Sequence, residues 1–119
     1  MLTLPRGERL RRAADFQALF QYGSRLERPN FIALWRRAET RRVGFAVSRQ
    51  LRGATQRNRA RRRVREAYRQ VRALIAADIE LVVVARASAA SRPFLELVED
   101  MRRLAENLAR ASRAAEAQA

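Results

Sequence analysis

Between positions 56 and 66 the chain reads QRNRARRRVRE, six arginines in eleven residues beside one asparagine and one glutamate. A guanidinium carries a planar fork of donors that meets phosphate oxygens and base edges in pairs of hydrogen bonds, and it stays charged at any physiological pH. The chemistry this run offers is polyanion binding, not bond breaking. Elsewhere the chain has neither histidine nor cysteine. That removes a Ser-His triad, a thiolate nucleophile and a structural zinc built on thiolate or imidazole. The carboxylates do not form a persuasive site. Asp78 and Glu80 bracket the entrance to an apolar run, while Glu96, Glu99, Asp100 and Glu106 fall in a C-terminal helical pattern where Arg102 and Arg103 are natural partners for Glu99. Glu96 with Asp100, or Glu99 with Asp100, can be imagined around Mg²⁺, but paired carboxylates on a helix are more often solubilising charge.

An arginine run can be a disordered tail or one face of a folded helix. Tails lack apolar periodicity. Here Ala60, Val64, Ala67, Val71 and Leu74 recur at four, three, four and three residues, which makes one continuous stripe. The spacing predicts a helix from about Thr55 to Ala76. Turning about 100° per residue puts Asn58, Arg62, Arg65 and Arg69 on the solvent side. Arg61 and Arg72 flank them, Arg59 and Arg63 lie toward the other flank, and Arg57 points nearer the core from the first turn. Like charges at this density repel, and several stand near the helix's positive end, where cations are disfavoured. A merely solvated face does not need them, so the pattern predicts a polyanion-binding surface. Asn58 either braces the first turn or meets a nucleotide.

The whole composition points the same way. The chain of 119 residues is long enough for one domain, its apolar content of 48% argues against disorder, and its net charge is +14. All 26 basic residues are arginine. The longest apolar run, LVVVA at 81 to 85, is far too short to span a membrane. MLTLPRGERLRR lacks the apolar segment of a secretory signal, and Glu8 and Asp15 come early for an organellar presequence. A cytoplasmic protein is expected.

The elements that must position the arginines can be read in outline. AADFQALFQY at 13 to 22 puts Phe16, Leu19 and Phe20 on one helical face, stopped by Gly23. NFIALWRR and RRVGFAVS read as strands, with the weak turn AETR between them as a hairpin. ELVVVAR at 80 to 86 is apolar on both faces and reads as a covered strand. SAASRP is a loop that delivers Pro93 into a final helix carrying Leu97, Met101, Leu104 and Leu108. The tail after 110 is expected to fray. The sum is a single small α+β domain over 1–119, ordered over about 9–110, with helices packed on a central sheet. Phe16 and Phe20 are either ordinary core at i and i+4 or rings lining a cleft where unpaired bases stack. Phe31 and Trp35 share one strand face and read as packing residues.

The segments RNRARRRVRE, RVGFAVSRQ, LRGATQRN, ELVVVAR, FLELVEDMRRL and DFQALFQYG together resemble the protein component of bacterial ribonuclease P, over about residues 9 to 108. That ribonucleoprotein cuts the 5′ leader from precursor tRNA, leaving a 3′-hydroxyl on the leader and a 5′-phosphate on the tRNA. The resemblance implies an unusual left-handed strand-helix-strand crossover around the arginine helix, whereas such connections are right-handed in about 98% of cases. It implies a protein subunit without its own nucleophile, partnered by a catalytic RNA subunit and precursor tRNA, with Mg²⁺ held mainly by the RNA and no obligate protein partner. It assigns contact with the catalytic RNA to Arg57, Asn58, Arg59, Arg61, Arg62 and Arg65, with Arg69 on the same face. It assigns the leader to Phe16, Phe20 and Arg49. Leu34 stands where some members carry a further aromatic, with Trp35 facing the other way, and Gln50 where many carry a lysine. Composition and the basic helix alone also fit a non-catalytic structured-RNA-binding protein, such as a ribosome-associated factor or RNA chaperone. A general DNA-binding helix is a third reading, but it lacks a base-reading pattern.

Overall fold

A computed structural model describes residues 6–117. A short 3-10 turn, Arg6–Glu8, leads to α1 (Ala13–Tyr22), β1 (Ser24–Glu27), β2 (Phe31–Arg37), β3 (Arg42–Val47) and α2 (Ala54–Val71). A 3-10 turn (Arg72–Leu74), β4 (Ile79–Ala85), a 3-10 turn (Ala87–Ala90) and α3 (Phe94–Ala117) complete the α+β domain. The four strands lie in the order β1-β2-β4-β3, with β4 antiparallel to β2 and parallel to β3.

This order corrects the expected β2–β3 hairpin. The two strands never pair, because β4 lies between them. The physical reason is in β4: Ile79, Leu81, Val83 and Ala85 belong to one buried cluster and Val82 to another on the opposite face. A strand apolar on both faces is stable only in the middle of a covered sheet. The AETR connection also lacks the Gly or Asn that a tight hairpin needs. Instead the Ala38 amide donates to the Asp78 carbonyl at 2.9 Å, joining the end of β2 to the approach to β4. β1, which the sequence reading left out, carries only Leu26 as an apolar side chain and is mostly exposed.

Successive side chains on a strand face opposite sides, and the core divides accordingly. Phe31, Ala33, Trp35 and Val43 pack with α2 and α3 residues on one side of the sheet, while Leu34 and Val82 meet Leu10 and Leu19 on the α1 side. Leu34 and Trp35 thus face opposite ways, and Phe31 and Trp35 are both core.

In α2 the predicted stripe holds through Ala60, Val64, Ala67 and Val71, and Tyr68 widens it. The stripe fails at its end. Leu74 is 56% exposed and Ile75, 3% exposed, takes the core position. The regular helix ends at Val71, and after the short 3-10 turn the chain is extended at Ile75 (φ −76°, ψ 136°), so residues past Val71 no longer follow the 3.6-residue period. The final helix runs on to Ala117 rather than ending near 110, with Ser112 buried and its carbonyl accepting from Arg37 Nη1 at 3.3 Å. Among the described residues no helix is long and apolar enough to cross a membrane.

Candidate nucleic-acid interface

α2 starts at Gly53, whose φ of 87° suits glycine, and it has no side-chain cap and no acidic residue in its first turn. Two connections hold this basic end in place. Arg57 Nη1 donates to the carbonyls of Ser48 (3.1 Å) and Leu51 (2.9 Å) in the segment between β3 and α2. Arg59 Nε donates to the Ala90 carbonyl at 2.7 Å. Arg63 donates from Nη1 to the Ala89 carbonyl at 3.2 Å and from Nη2 to the Arg92 carbonyl. The turn that receives them is itself seated by the buried Asp100. Its carboxylate accepts from Arg28 Nε (2.6 Å), Asn30 N (3.0 Å) and Asn30 Nδ2 (3.1 Å), and Asn30 Oδ1 accepts from Ser88 Oγ at 2.8 Å.

Arg61 and Arg65 face a trough, whereas Arg62 lines a separate recess with Arg59, Arg63, Glu66, Gln70 and Phe94. Arg61 and Arg65 form one wall of a recess of about 180 Å³ floored by Leu10, Phe16, Val43, Gly44 and Phe45, with Arg9 opposite. A second recess of about 550 Å³ shares Phe45 and Arg61 and continues past Ala46 and Val47 to Ala54 and Asn58. Phe45 is held by an edge-on contact with Tyr68, ring centroids 5.5 Å apart at 74°. Phe16 lies on Gly44: a β-carbon there would meet the ring Cζ at 2.5 Å. Apolar floor with guanidinium walls is the arrangement that stacks bases and pairs phosphates.

Charge is distributed unevenly. Ion pairs engage Arg25, Arg28, Arg36, Arg37, Arg86, Arg102 and Arg103 around β1, β2, β4 and α3, and Arg41, Arg69 and Arg72 at and beside the C-terminal end of α2. Among the described residues Arg9, Arg11, Arg12, Arg42, Arg49, Arg52, Arg61, Arg62 and Arg65 form no ion pair, nor do Arg57, Arg59 and Arg63 on α2 or Arg92, Arg110 and Arg113 at α3. Burial pushes the Arg65 guanidinium below its ordinary pKa, and Arg69 pushes the same way.

Each residue singled out by sequence now has a place. Arg61 and Arg62 are exposed and Arg65 is half-buried in the trough wall. Asn58 braces the first turns, its Oδ1 accepting from Arg61 Nη2 at 2.7 Å. Arg69 departs from the expected solvent face: its side chain is 18% exposed and its Nη1 meets Glu66 Oε1 at 2.6 Å, because Glu66 stands three residues earlier on the same side. Phe16 enters the trough, while Phe20, 51% exposed, and Arg49, in the exposed turn after β3, do not line it. Leu34 is buried under α1. Gln50 is exposed, its amide donating to Ser48 Oγ at 3.2 Å. Sequence reasoning missed Arg9, Gly44 and Phe45. The signal for Gly44 was present, since a glycine inside a strand pattern marks close approach of another group. Two of the acidic residues in α3 are engaged with other side chains, Asp100 as above and Glu99 with Arg102 and Arg103. Among the described residues no three carboxylates gather to hold a metal ion.

Fold and surface together define a small RNA-binding α+β domain with one arginine helix walling an apolar trough. The ribonuclease P family model matches residues 4–109. The ribonuclease P protein component of Chloroflexus aurantiacus is 40% identical over 99 residues, covering 81% of this chain and 73% of the relative. That of Acidothermus cellulolyticus is 37% identical over 105 residues, covering 85% and 88%. The structure of the RNase P protein from Thermotoga maritima aligns with a TM-score of 0.73 at 30% identity, covering 84% of this chain and 96% of that one. The chain belongs to the ribonuclease P protein family.

Proposed function

We propose that the chain is the protein subunit of ribonuclease P and assists a catalytic RNA in the endonucleolytic removal of the 5′ leader from precursor tRNA. The observation that carries this reading is the trough: Phe16 over Gly44 on the floor, Arg9, Arg61 and Arg65 on the walls, and no carboxylate lining it. In this reading Arg57, Asn58, Arg59, Arg61, Arg62 and Arg65 form the surface offered to the catalytic RNA, with Arg69 at its edge. Phe16 serves the leader inside the trough, with Phe20 and Arg49 as leader contacts outside it.

The protein contributes binding, not bond cleavage. Its cations lower the repulsion between two RNAs and release condensed counterions. Its apolar floor adds affinity for unpaired bases, which mature tRNA lacks at its 5′ end. The catalytic Mg²⁺ belongs mainly to the RNA subunit.

Reconstitution with the matching catalytic RNA and precursor tRNA, each component omitted in turn, tests the reading. Protein plus RNA is expected to cut at the leader junction at lower Mg²⁺ than RNA alone, with a larger gain for leader-bearing than for nearly leaderless substrate. Cleavage by nuclease-treated, repurified protein alone overturns it, as does RNA activity that never responds to the protein at limiting Mg²⁺.

A further inference from the structure

The trough does not stop at Arg9. That residue also lines a shallow recess of about 340 Å³ on the far side, together with Gly7, Arg11, Arg12, Asp15 and Arg42. These arginines stand on fixed backbone. Arg9 bridges Val43 as a parallel addition to the outer edge of β3, and the Leu10 amide donates to the Val43 carbonyl at 2.9 Å. Leu10, 6% exposed, is sealed into the cluster beneath α1. The Arg12 carbonyl accepts from the amides of Asp15 (3.0 Å) and Phe16 (3.3 Å), so Arg11 and Arg12 enter α1 directly. Arg42 opens β3, two residues before Gly44.

All four side chains are exposed, and among the described residues none forms an ion pair. The one carboxylate in the recess, Asp15, is turned to Arg36 at 3.9 Å. Four guanidiniums around one concavity repel one another, and a polyanion removes that cost. Among the described residues no aromatic or aliphatic side chain lines the recess, a lining suited to phosphates more than to bases. Contacts of that kind position a strand without reading its sequence.

We propose that the Arg9–Arg11–Arg12–Arg42 recess is a second RNA-contact surface that takes the phosphodiester backbone of the distal leader, upstream of the nucleotides held over Phe16. The shared Arg9 makes trough and recess one continuous path, which suits a single strand leaving the trough along the β3 edge. The proposal rests on the trough being the leader site.

The test compares holoenzyme containing the parent protein with holoenzyme containing R11Q/R12Q/R42Q. The substrates are precursor tRNAs with leaders of about 4 and about 12 nucleotides, one at the lower end and one well inside the range of site sizes of single-strand grooves. The parent is expected to bind the long leader more tightly. In the variant that length preference disappears, short-leader affinity stays at the parent's value, and the salt slope for the long leader falls by roughly 0.7 per lost contact. The charge-keeping R11K/R12K/R42K restores most of the preference and guards against a folding artefact. A glutamine variant that keeps both preference and slope overturns the proposal. So does a variant that loses affinity for the catalytic RNA without substrate, since the recess then belongs to that RNA. Phe16→Ala separates the two readings. If it lowers short-leader affinity while the arginine variant keeps the length preference, only the recess fails. If it leaves short-leader affinity untouched in a folded protein, the trough itself fails as the leader site.

Discussion

The ring of Phe16 rests on the backbone of Gly44, so near that a β-carbon on residue 44 would lie 2.5 Å from Cζ and 2.7 Å from Cε1. Gly44→Ala therefore displaces the ring into the trough. The expected result is a folded protein destabilised by roughly 1–3 kcal/mol that discriminates precursor from mature tRNA less well. Chemical denaturation and paired binding measurements check it. Parent-like discrimination in folded G44A shows that the ring's seat does not matter to the leader.

The two phenylalanines of α1 should separate. Phe16 packs against the cluster of Leu10, Leu19, Leu34 and Val82, whereas Phe20 is 51% exposed. Phe16→Ala is expected to cost both stability and leader affinity. Phe20→Ala should leave the unfolding midpoint within about 0.5 kcal/mol of the parent. If Phe20 stacks on a leader base, F20A loses roughly 1–3 kcal/mol of binding, and unchanged precursor affinity removes it from the leader site.

Val64, fully buried in the α2 stripe, sets the helix orientation. Val64→Asp puts a carboxylate in the core with no partner, and a loss above about 4 kcal/mol is expected, enough to abolish cooperative unfolding. Arg62 and Arg65 test the other face. R62A/R65A should stay folded and bind catalytic RNA with a salt slope shallower by roughly 0.7–0.9 per contact. An unchanged slope places the RNA surface elsewhere.

Arg63 is expected to behave unlike its neighbours, because both its terminal nitrogens hold carbonyls of the turn before α3. R63K keeps the charge but loses the fork. Amide exchange at residues 88–92 should quicken equally in R63K and R63Q, with the RNA salt slope unaltered. Restoration of slow exchange by lysine shows that charge alone suffices.

Glu8 ties three segments together, accepting from Arg72 Nε (2.7 Å) and Nη2 (2.5 Å) and from Arg41 Nη2 (3.0 Å). The Arg72 hydrogen bond chiefly, with Arg41 helping against burial, holds its carboxyl below the usual range. A folded value below the unfolded one means the unfolded chain takes up the proton first as pH falls. The contribution is therefore complete above the ordinary carboxylate range and is lost as pH drops through it. Denaturant midpoints for parent and E8Q, followed from about pH 7 to about pH 3, should differ most at the upper end and converge in acid. Parallel curves remove Glu8 from the acid response.

The stripe Ala60-Val64-Ala67-Val71 was legible because a helical period shows wherever small and aliphatic residues repeat. Ile75 was not, since its burial follows from the end of the helix and the extended backbone at Ile75, which periodicity does not announce. Strand pairing failed for a different reason. Nearness in sequence favoured β2 with β3, but the decision was made by β4, a distant strand with two apolar faces. The basic face was readable as charge. Which guanidiniums bind backbone was not, because that depends on where the turn at Ala87–Ala90 lands against α2. Phe16 and Phe20 look equivalent at i and i+4, and only the missing side chain at Gly44 separates them.

The placement of β4 between β2 and β3 has a consequence for how the chain is made. Synthesis delivers β2 and β3 before the strand that joins them, so until residue 85 has emerged β3 has no neighbouring strand but the short Arg9–Leu10 segment. The β1–β2 hairpin can pair early, but the rest of the sheet closes in one late step dominated by contacts distant in sequence, the kind that form slowly. α2 is complete by then, its arginines already displayed in surroundings crowded with RNA. The trough they wall has no finished floor, since Val82 is still to be packed beneath Phe16. A nascent chain stalled before Ile79 thus carries the charge of the finished protein without its shape. It should grip RNA indiscriminately, and selectivity should arrive only with the last strand.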